Sequence, residues 1–171
     1  VRYHHGMYLK NASLAEDDKA YVVYYADNVA AFSDRREAEA GEGGFDKAMP
    51  LESVFNILNG NHGQSHYAMQ VLNPKNEINY PTEDEIPMDE HFYQSVIQNI
   101  TDNLKGITLD EEYINSLLAV LEANLTYIPS STSKKELADI SLYDHMKMTA
   151  AVASCVMQFL TAKGEKNYKQ S

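Results

Sequence analysis

Apolar side chains recur at helical spacing along most of this chain, and the pattern predicts a mainly α-helical fold. The first such stretch covers residues 16–33. Its apolar positions follow the three- and four-residue spacing of one helix face: Tyr21, Tyr24, Tyr25, Val29 and Phe32. Comparable patterns predict further helices over residues 88–105, 108–128 and 141–160.

Local signals place the ends of two of these helices. Gly106 can adopt the left-handed conformation that closes a helix. Thr108, with Glu111 three residues later, has the pattern of a capping box at the next helix start. Residues 1–5 are interpreted as the last turn of a helix that begins upstream, so that the chain is a fragment of a longer protein.

The segment between the first two long helices is predicted to be irregular. Pro50 near a first turn predicts a short helix over residues 50–58. Weak alternation in residues 66–72 and 78–80 predicts a small β-hairpin, with its turn at Pro74.

Charge and cysteine content limit the functional classes. A net charge of -11, from 25 acidic and 14 basic residues, excludes a whole-surface basic footprint for nucleic acid. Any such contact must come from a local basic patch, a metal or a partner subunit. The one cysteine, Cys155, rules out an internal disulfide framework and is expected to be a buried, inert thiol. No apolar run approaches the ~20 residues of a membrane span, and a cytoplasmic location is expected.

Candidate metal ligands lie near both ends of the chain. His145, preceded by Asp144, opens a helix rich in small residues, and Asp27 lies in an apolar helix where an unpaired charge is costly. His4 and His5 are further candidates. Imidazole and carboxylate together suit divalent transition metals, which activate water for phosphoester hydrolysis.

Structural explanations stay open for the same residues. His145 can be a core histidine with satisfied hydrogen bonds, and Asp27 a cap or part of a buried ion pair. Asp144 fits a helix-start acid stabilised by the macrodipole. Most of the 12 tyrosines are expected in the core, although a few can stack on nucleobases.

The order of these residues resembles a known family. His4-His5 followed by Ala26-Asp27 is similar to the later motifs of HD-type metal phosphohydrolases. The stretch around Tyr143-Asp144-His145 is similar to their first helix but comes last here, a circularly permuted order. Together with Tyr24-Tyr-Ala-Asp-Asn and Pro129-Ser-Ser-Thr, the combination resembles the HD nuclease domain of the large (Csm-type) subunit of type III-A CRISPR effector complexes.

This resemblance implies a mainly α, circularly permuted HD-domain helical bundle with a small β-hairpin insertion. The domain would cover residues 1–162 and be incomplete at its N-terminus, with residues 163–171 as a linker or tail. It implies a metal-dependent single-stranded DNA nuclease that works with guide RNA and other Csm subunits. His145, Asp27 and His5 would hold a divalent ion (Mn, Ni, Co or Mg), and His4 and His5 would assist catalysis.

One departure limits the expected activity. The consecutive His-Asp dyad of the family is expected upstream of Val1, so this chain alone is expected to have little nuclease activity. Two alternatives stay open: a non-catalytic helical interaction module within a ribonucleoprotein assembly, and an HD phosphohydrolase that acts on small nucleotides.

Overall fold

The structure is a computed structural model that describes residues 3, 5–34, 43–58, 63–108, 110 and 112–169. Its described part is mainly helical, with one two-stranded antiparallel sheet, as the hydrophobic pattern predicts. The helices are α1 Gly6–Lys10, α2 Ala20–Asp34, α3 Phe92–Leu104, α4 Tyr113–Leu125 and α5 Leu142–Lys163. The strands are β1 Leu51–Glu52 and β2 His66–Tyr67.

The chain divides into two compact units. The first contains residues 1–35 and 145–171, and the second contains residues 36–144. The predicted boundary at residue 162 stays a prediction.

Helices α1 and α2 pack together in the first unit. The Asp18 carboxylate accepts a hydrogen bond of 2.8 Å from the backbone N–H of Ala20 and so caps α2. Ala26 and Ala30 are fully buried on α2. Alanine adds no side-chain bulk, so other elements can approach the α2 backbone closely at these positions.

The segment after α5 folds back within the first unit. Gly164 has φ +69°, and the N–H of Glu165 donates to the carbonyl of Leu160 at 3.0 Å, the arrangement of a left-handed helix cap. The N–H of Tyr168 then donates to the carbonyl of Glu16 at 2.8 Å. The described part of the polar tail is therefore held in place by backbone hydrogen bonds.

An apolar cluster forms the core of the second unit. Its buried members come from α3, α4 and the segments beyond α4: Phe92, Val96, Leu125, Ile128 and Tyr143. Burying a side chain of this size is worth roughly 1.5–3 kcal/mol, so this cluster supplies much of the unit's stability. The predicted helices over residues 88–105 and 108–128 are confirmed, with later starts.

The predicted short helix over residues 50–58 is wrong. Residues 51–52 form β1, followed by a 3₁₀ turn, Val54–Asn56. The backbone N–H of Glu52 donates to Ala138 at 2.8 Å and that of Ser53 to Ser65 at 3.0 Å. These long-range hydrogen bonds hold residues 51–53 in an extended conformation, and residues 54–56 form the 3₁₀ turn.

The predicted hairpin is only partly correct. His66 exchanges two backbone hydrogen bonds with Thr82, at 2.9 and 3.0 Å, and β2 pairs with β1 in the register Leu51 to Tyr67. Residues 78–80 form no strand. The side-chain amide of Asn79 donates to the carbonyl of Ala68 at 2.8 Å, where a backbone ladder was expected.

Helix ends follow the sequence signals at some points and not at others. Gly106 has φ +79° as predicted. His5 precedes a helix instead of ending one, because its extended backbone (φ -93°, ψ 130°) forms the N-cap of α1. Helix α4 begins at Tyr113, later than the Thr108 capping box predicts, and Glu111 lies outside the described residues.

Helix α5 begins where the sequence predicts. The Ser141 hydroxyl accepts from the N–H of Asp144 at 3.0 Å and donates to the Asp144 carboxylate at 2.7 Å. Asp144 is therefore a helix-start residue, and Ser141 fixes the first turn. Cys155 is exposed, so the expectation of a buried thiol is wrong. This helix presents much of its circumference to solvent, and Cys155 lies on that side.

No helix among the described residues has the length and apolar character needed to cross a membrane.

Candidate metal site in the first unit

Helix α2 places two carboxylates on one face. Asp27 and Asp34 are seven residues apart, which is close to two helical turns, so their side chains project in nearly the same direction. Asp34 is the last residue of α2. Acidic side chains are disfavoured at that end by the helix dipole, so a partner is needed to stabilise it.

His145 in the first turns of α5 is that partner, and it contacts both carboxylates. Its Nδ1 lies 2.7 Å from Asp34 Oδ2, and its Nε2 lies 3.1 Å from Asp27 Oδ1. The side chains are largely covered, with 14% of His145, 26% of Asp27 and 11% of Asp34 exposed. The predicted convergence of Asp27 and His145 is therefore present in the structure.

The two contacts allow three protonation arrangements of the imidazole. In the first, both nitrogens carry protons and donate to both carboxylates. In the second, Nδ1–H donates to Asp34 and Nε2 presents its lone pair to Asp27; in the third, Nε2–H donates to Asp27 and Nδ1 presents its lone pair to Asp34. Two facing lone pairs repel, and in the second arrangement a cation between Nε2 and Oδ1 would relieve that repulsion.

The donor chemistry fits such a cation. The 3.1 Å between Nε2 and Oδ1 is the length of an ordinary hydrogen bond, and an imidazole nitrogen and a carboxylate oxygen would also serve as ligands of a divalent metal. A histidine ligand usually donates its other N–H to a carboxylate, which fixes its tautomer. Asp34 is placed to accept that hydrogen bond.

A buried hydroxyl group lies one turn further along α5. The hydroxyl of Thr149 is buried and has no hydrogen-bond partner among the described residues. Thr149 is four residues after His145 and therefore a neighbour on the same helix face.

The histidine pair near the N-terminus is only partly visible. His4 lies outside the described residues. His5 is exposed at the start of α1, with its ring centroid 6.3 Å from that of Tyr8. Within the ranges that the structure describes, no group of three or more histidine, cysteine, aspartate or glutamate side chains is arranged to hold a metal. The ligand roles of His145, Asp27 and His5, and the catalytic roles of His4 and His5, stay predictions.

Asp34 was not among the predicted site residues. Two signals in the sequence point to it: its spacing of seven from Asp27 and its position at the disfavoured C-terminal end of a helix. An aspartate followed by two arginines is also typical of a solvated ion pair, so these signals alone do not single out Asp34.

Comparison with known proteins agrees with this architecture. No family model matches the chain. Three curated relatives, each named as a CRISPR system single-strand-specific deoxyribonuclease Cas10/Csm1 (subtype III-A), align over nearly its whole length. They come from Enterococcus italicus (37% identical over 178 residues, 99% of the chain), Mycobacterium tuberculosis (34%, 100%) and Streptococcus thermophilus (33%, 99%).

A solved structure of a Csm1–Csm4 cassette in complex with cA4 also matches, with a TM-score of 0.56 and 31% identity over 78% of this chain and 16% of that one. The chain spans 22–23% of the length of these curated relatives. It is homologous to one portion of these longer proteins. The relatives of that portion are Cas10/Csm1 proteins of subtype III-A.

Proposed function

We propose that this chain is the HD-type nuclease portion of a type III-A large subunit and cleaves single-stranded DNA with a divalent metal. The observation that carries the proposal is the approach of His145 Nε2 to within 3.1 Å of Asp27 Oδ1, with Asp34 on the opposite ring nitrogen. The names of the relatives, which include single-strand-specific deoxyribonuclease, support the reaction. The late position of the His145 helix supports a circularly permuted HD order.

Each residue has a separate role in this proposal. His145 Nε2 and Asp27 Oδ1 would hold the metal, and Asp34 holds the Nδ1 proton so that Nε2 stays available as a ligand. His5 would add a further metal ligand, and His4 and His5 would assist catalysis. A bound divalent ion lowers the pKa of its water and polarises a phosphoryl oxygen. His145, Asp27 and Asp34 are largely covered, which limits competition from bulk water.

A complete site needs more ligands than the structure brings together. Asp27 and His145 meet, His5 is exposed at the start of α1, and a metal site in an enzyme usually has at least three ligands from the protein. We therefore propose that the 171 residues alone cleave slowly, and that the natural full-length protein, with guide RNA and its partner Csm subunits, reaches full activity in the cytoplasm.

The experiment measures cleavage of a labelled single-stranded oligonucleotide by the full-length protein with Mn²⁺, Ni²⁺, Co²⁺ or Mg²⁺. We expect His145→Asn and Asp27→Asn each to reduce the rate by at least about 10³-fold, since several kcal/mol of metal stabilisation are lost. His91→Asn and Asp102→Asn, both exposed on or beside α3, are matched controls with unchanged rates. Metal-dependent cleavage that persists in both site variants would contradict the proposal.

The same contacts also fit the alternative of a non-catalytic interaction module, in which they have a structural role. Both ring nitrogens of His145 already have carboxylate partners, so the trio can be complete as a buried ion pair without metal. Under this alternative, His145→Asn lowers the melting temperature by the same amount with and without added metal, and the wild-type protein binds its partners but cleaves no DNA.

A further inference from the structure

A cavity in the first unit is lined in part by helix α2, the helix that carries Asp27. It has a volume of about 200 Å³ and lies between α1, α2 and the end of the chain. Its walls are formed by Gly6, Leu9, Lys10, Ala12, Tyr21, Tyr24, Tyr25 and Lys169. This volume is below the roughly 300–1,000 Å³ of sites for drug-sized ligands, so the cavity suits one planar ring system.

The walls combine aromatic rings with amines. Tyr24 and Tyr25 meet edge to face, with their ring centroids 5.5 Å apart, and Leu9 adds aliphatic surface. Lys10 and Lys169 are exposed and bring two positive charges to a chain with a net charge of -11. The nearby Glu16 carboxylate already accepts a hydrogen bond from the Asn167 side chain at 3.0 Å.

A glycine permits this arrangement. A Cβ atom on Gly6 would lie 2.8 Å from the hydroxyl oxygen of Tyr24, closer than non-bonded atoms tolerate. Gly6 therefore allows the Tyr24 side chain to lie against α1 and to form a wall of the cavity.

The cavity also lies along the same helix as the predicted metal ligand. Tyr24 precedes Asp27 by three residues on α2, so the two side chains are neighbours on one face, separated by less than one helical turn of 5.4 Å. A single strand of DNA that contacts both Tyr24 and the metal ligand Asp27 would span about one nucleotide between them.

We propose that this cavity binds one base of single-stranded DNA next to the scissile phosphate, with Tyr24 and Tyr25 against the base and Lys10 and Lys169 on the flanking phosphates. Stacking on aromatic side chains tolerates any sequence, because every base has a π-face. The inference rests on the proposed nuclease function and adds a substrate subsite to it.

The test is a binding measurement with the natural full-length protein. Fluorescence anisotropy of a labelled oligo(dT), with EDTA present to prevent cleavage, gives the dissociation constant. We expect Tyr25→Leu to weaken binding roughly 5- to 100-fold. We expect the double variant Lys10→Gln/Lys169→Gln to weaken binding and reduce the salt slope by roughly 1.4, since each phosphate contact on a single strand contributes about 0.7.

Controls and alternative outcomes separate this inference from the nuclease proposal. Tyr80→Leu, an exposed tyrosine of the second unit (72% exposed), should bind as the wild type does. Wild-type affinity in both cavity variants overturns the subsite, even if the protein cleaves DNA. Weakened binding without any metal-dependent cleavage keeps the subsite and refutes the nuclease. Displacement of the oligomer by dTMP at equal concentration overturns a strand site in favour of a mononucleotide site.

The double lysine variant provides a second test in case the tyrosine variant does not fold. Both amines are at the exposed rim, so their replacement by glutamine removes charge without removing core contacts. If Tyr25→Leu fails to fold, the reduced salt slope of the lysine variant still decides whether Lys10 and Lys169 contact the DNA.

Discussion

Both units bury apolar side chains, and they differ in the polar groups that accompany them. The second has an apolar cluster around Phe92, Leu125 and Tyr143. In the first, fully buried alanines on α2 accompany a largely covered polar trio: Asp27, Asp34 and His145. Apolar burial is favourable wherever the shapes fit, whereas buried charges are tolerated only when each one has a partner. The apolar cluster therefore adds stability directly, whereas the polar trio is tolerated because both carboxylates contact His145.

The largest stability effect is expected in the apolar cluster. Leu125→Ala should lower the free energy of unfolding by about 2–5 kcal/mol, because it removes buried methyl groups and leaves a cavity. Chemical denaturation of the full-length protein measures the loss. Leu118→Ala, on the same helix but 39% exposed, should cost much less. Equal losses from the two leucines would contradict the assignment of the core to this face of α4.

Asp34 gives a sharper test of the polar trio. Removing a carboxylate that orients a metal-binding histidine typically costs 10–100-fold in metal affinity, so we expect that loss for Asp34→Ala. The Asp34→Asn variant can still accept a hydrogen bond from Nδ1–H, so it should keep part of the metal affinity that Asp34→Ala loses. Calorimetric titration with Mn²⁺ measures affinity independently of cleavage. If both variants bind metal as the wild type does, Asp34 has a structural role alone.

The Ser141 cap connects local helix stability to the position of His145. Ser141→Ala removes the acceptor of the Asp144 N–H and should cost about 0.5–2 kcal/mol. Urea denaturation checks the effect, with Ser154→Ala, exposed on the same helix, as the control. An unchanged midpoint would show that the first turn of α5 is held by other contacts.

The smallest expected effect is a pH dependence in the second unit. Burial raises the pKa of Glu52 above its ordinary value, and the charge of Asp139 raises it further. The folded state therefore keeps this proton to a higher pH than the unfolded chain does. Stability is greatest below the ordinary pKa of Glu52 and declines as the pH rises through the raised pKa.

Glu52→Gln should remove this decline. Melting temperatures measured between pH 4 and pH 8 should fall less steeply with rising pH in the variant than in the wild type. The difference should be small, because it comes from one partly buried carboxyl group. Glu77→Gln, at an exposed position, should leave the pH profile unchanged. A steeper decline in Glu52→Gln would contradict the direction of the shift.

Hydrophobic spacing predicted the long helices, and the cost of a buried carboxylate singled out Asp27, because both are local signals. The meeting of Asp27 with His145 was expected from the order of motifs in the family resemblance. The sequence could not identify the partners of Glu52 and Ser53, since the carbonyls that take their N–H groups belong to Ala138 and Ser65. The helix predicted there was wrong for this reason. Asp34 was missed because an aspartate before two arginines is also typical of a solvated ion pair.

That long separation has a consequence during synthesis. Asp27 and His145 are 118 residues apart, and a ribosome adds about 5–20 residues per second. Roughly 6–24 seconds therefore pass between the emergence of the two residues. During this interval the nascent chain has the acidic side chains of α2 without their imidazole partner, so the predicted metal pair forms only after the whole second unit has been translated.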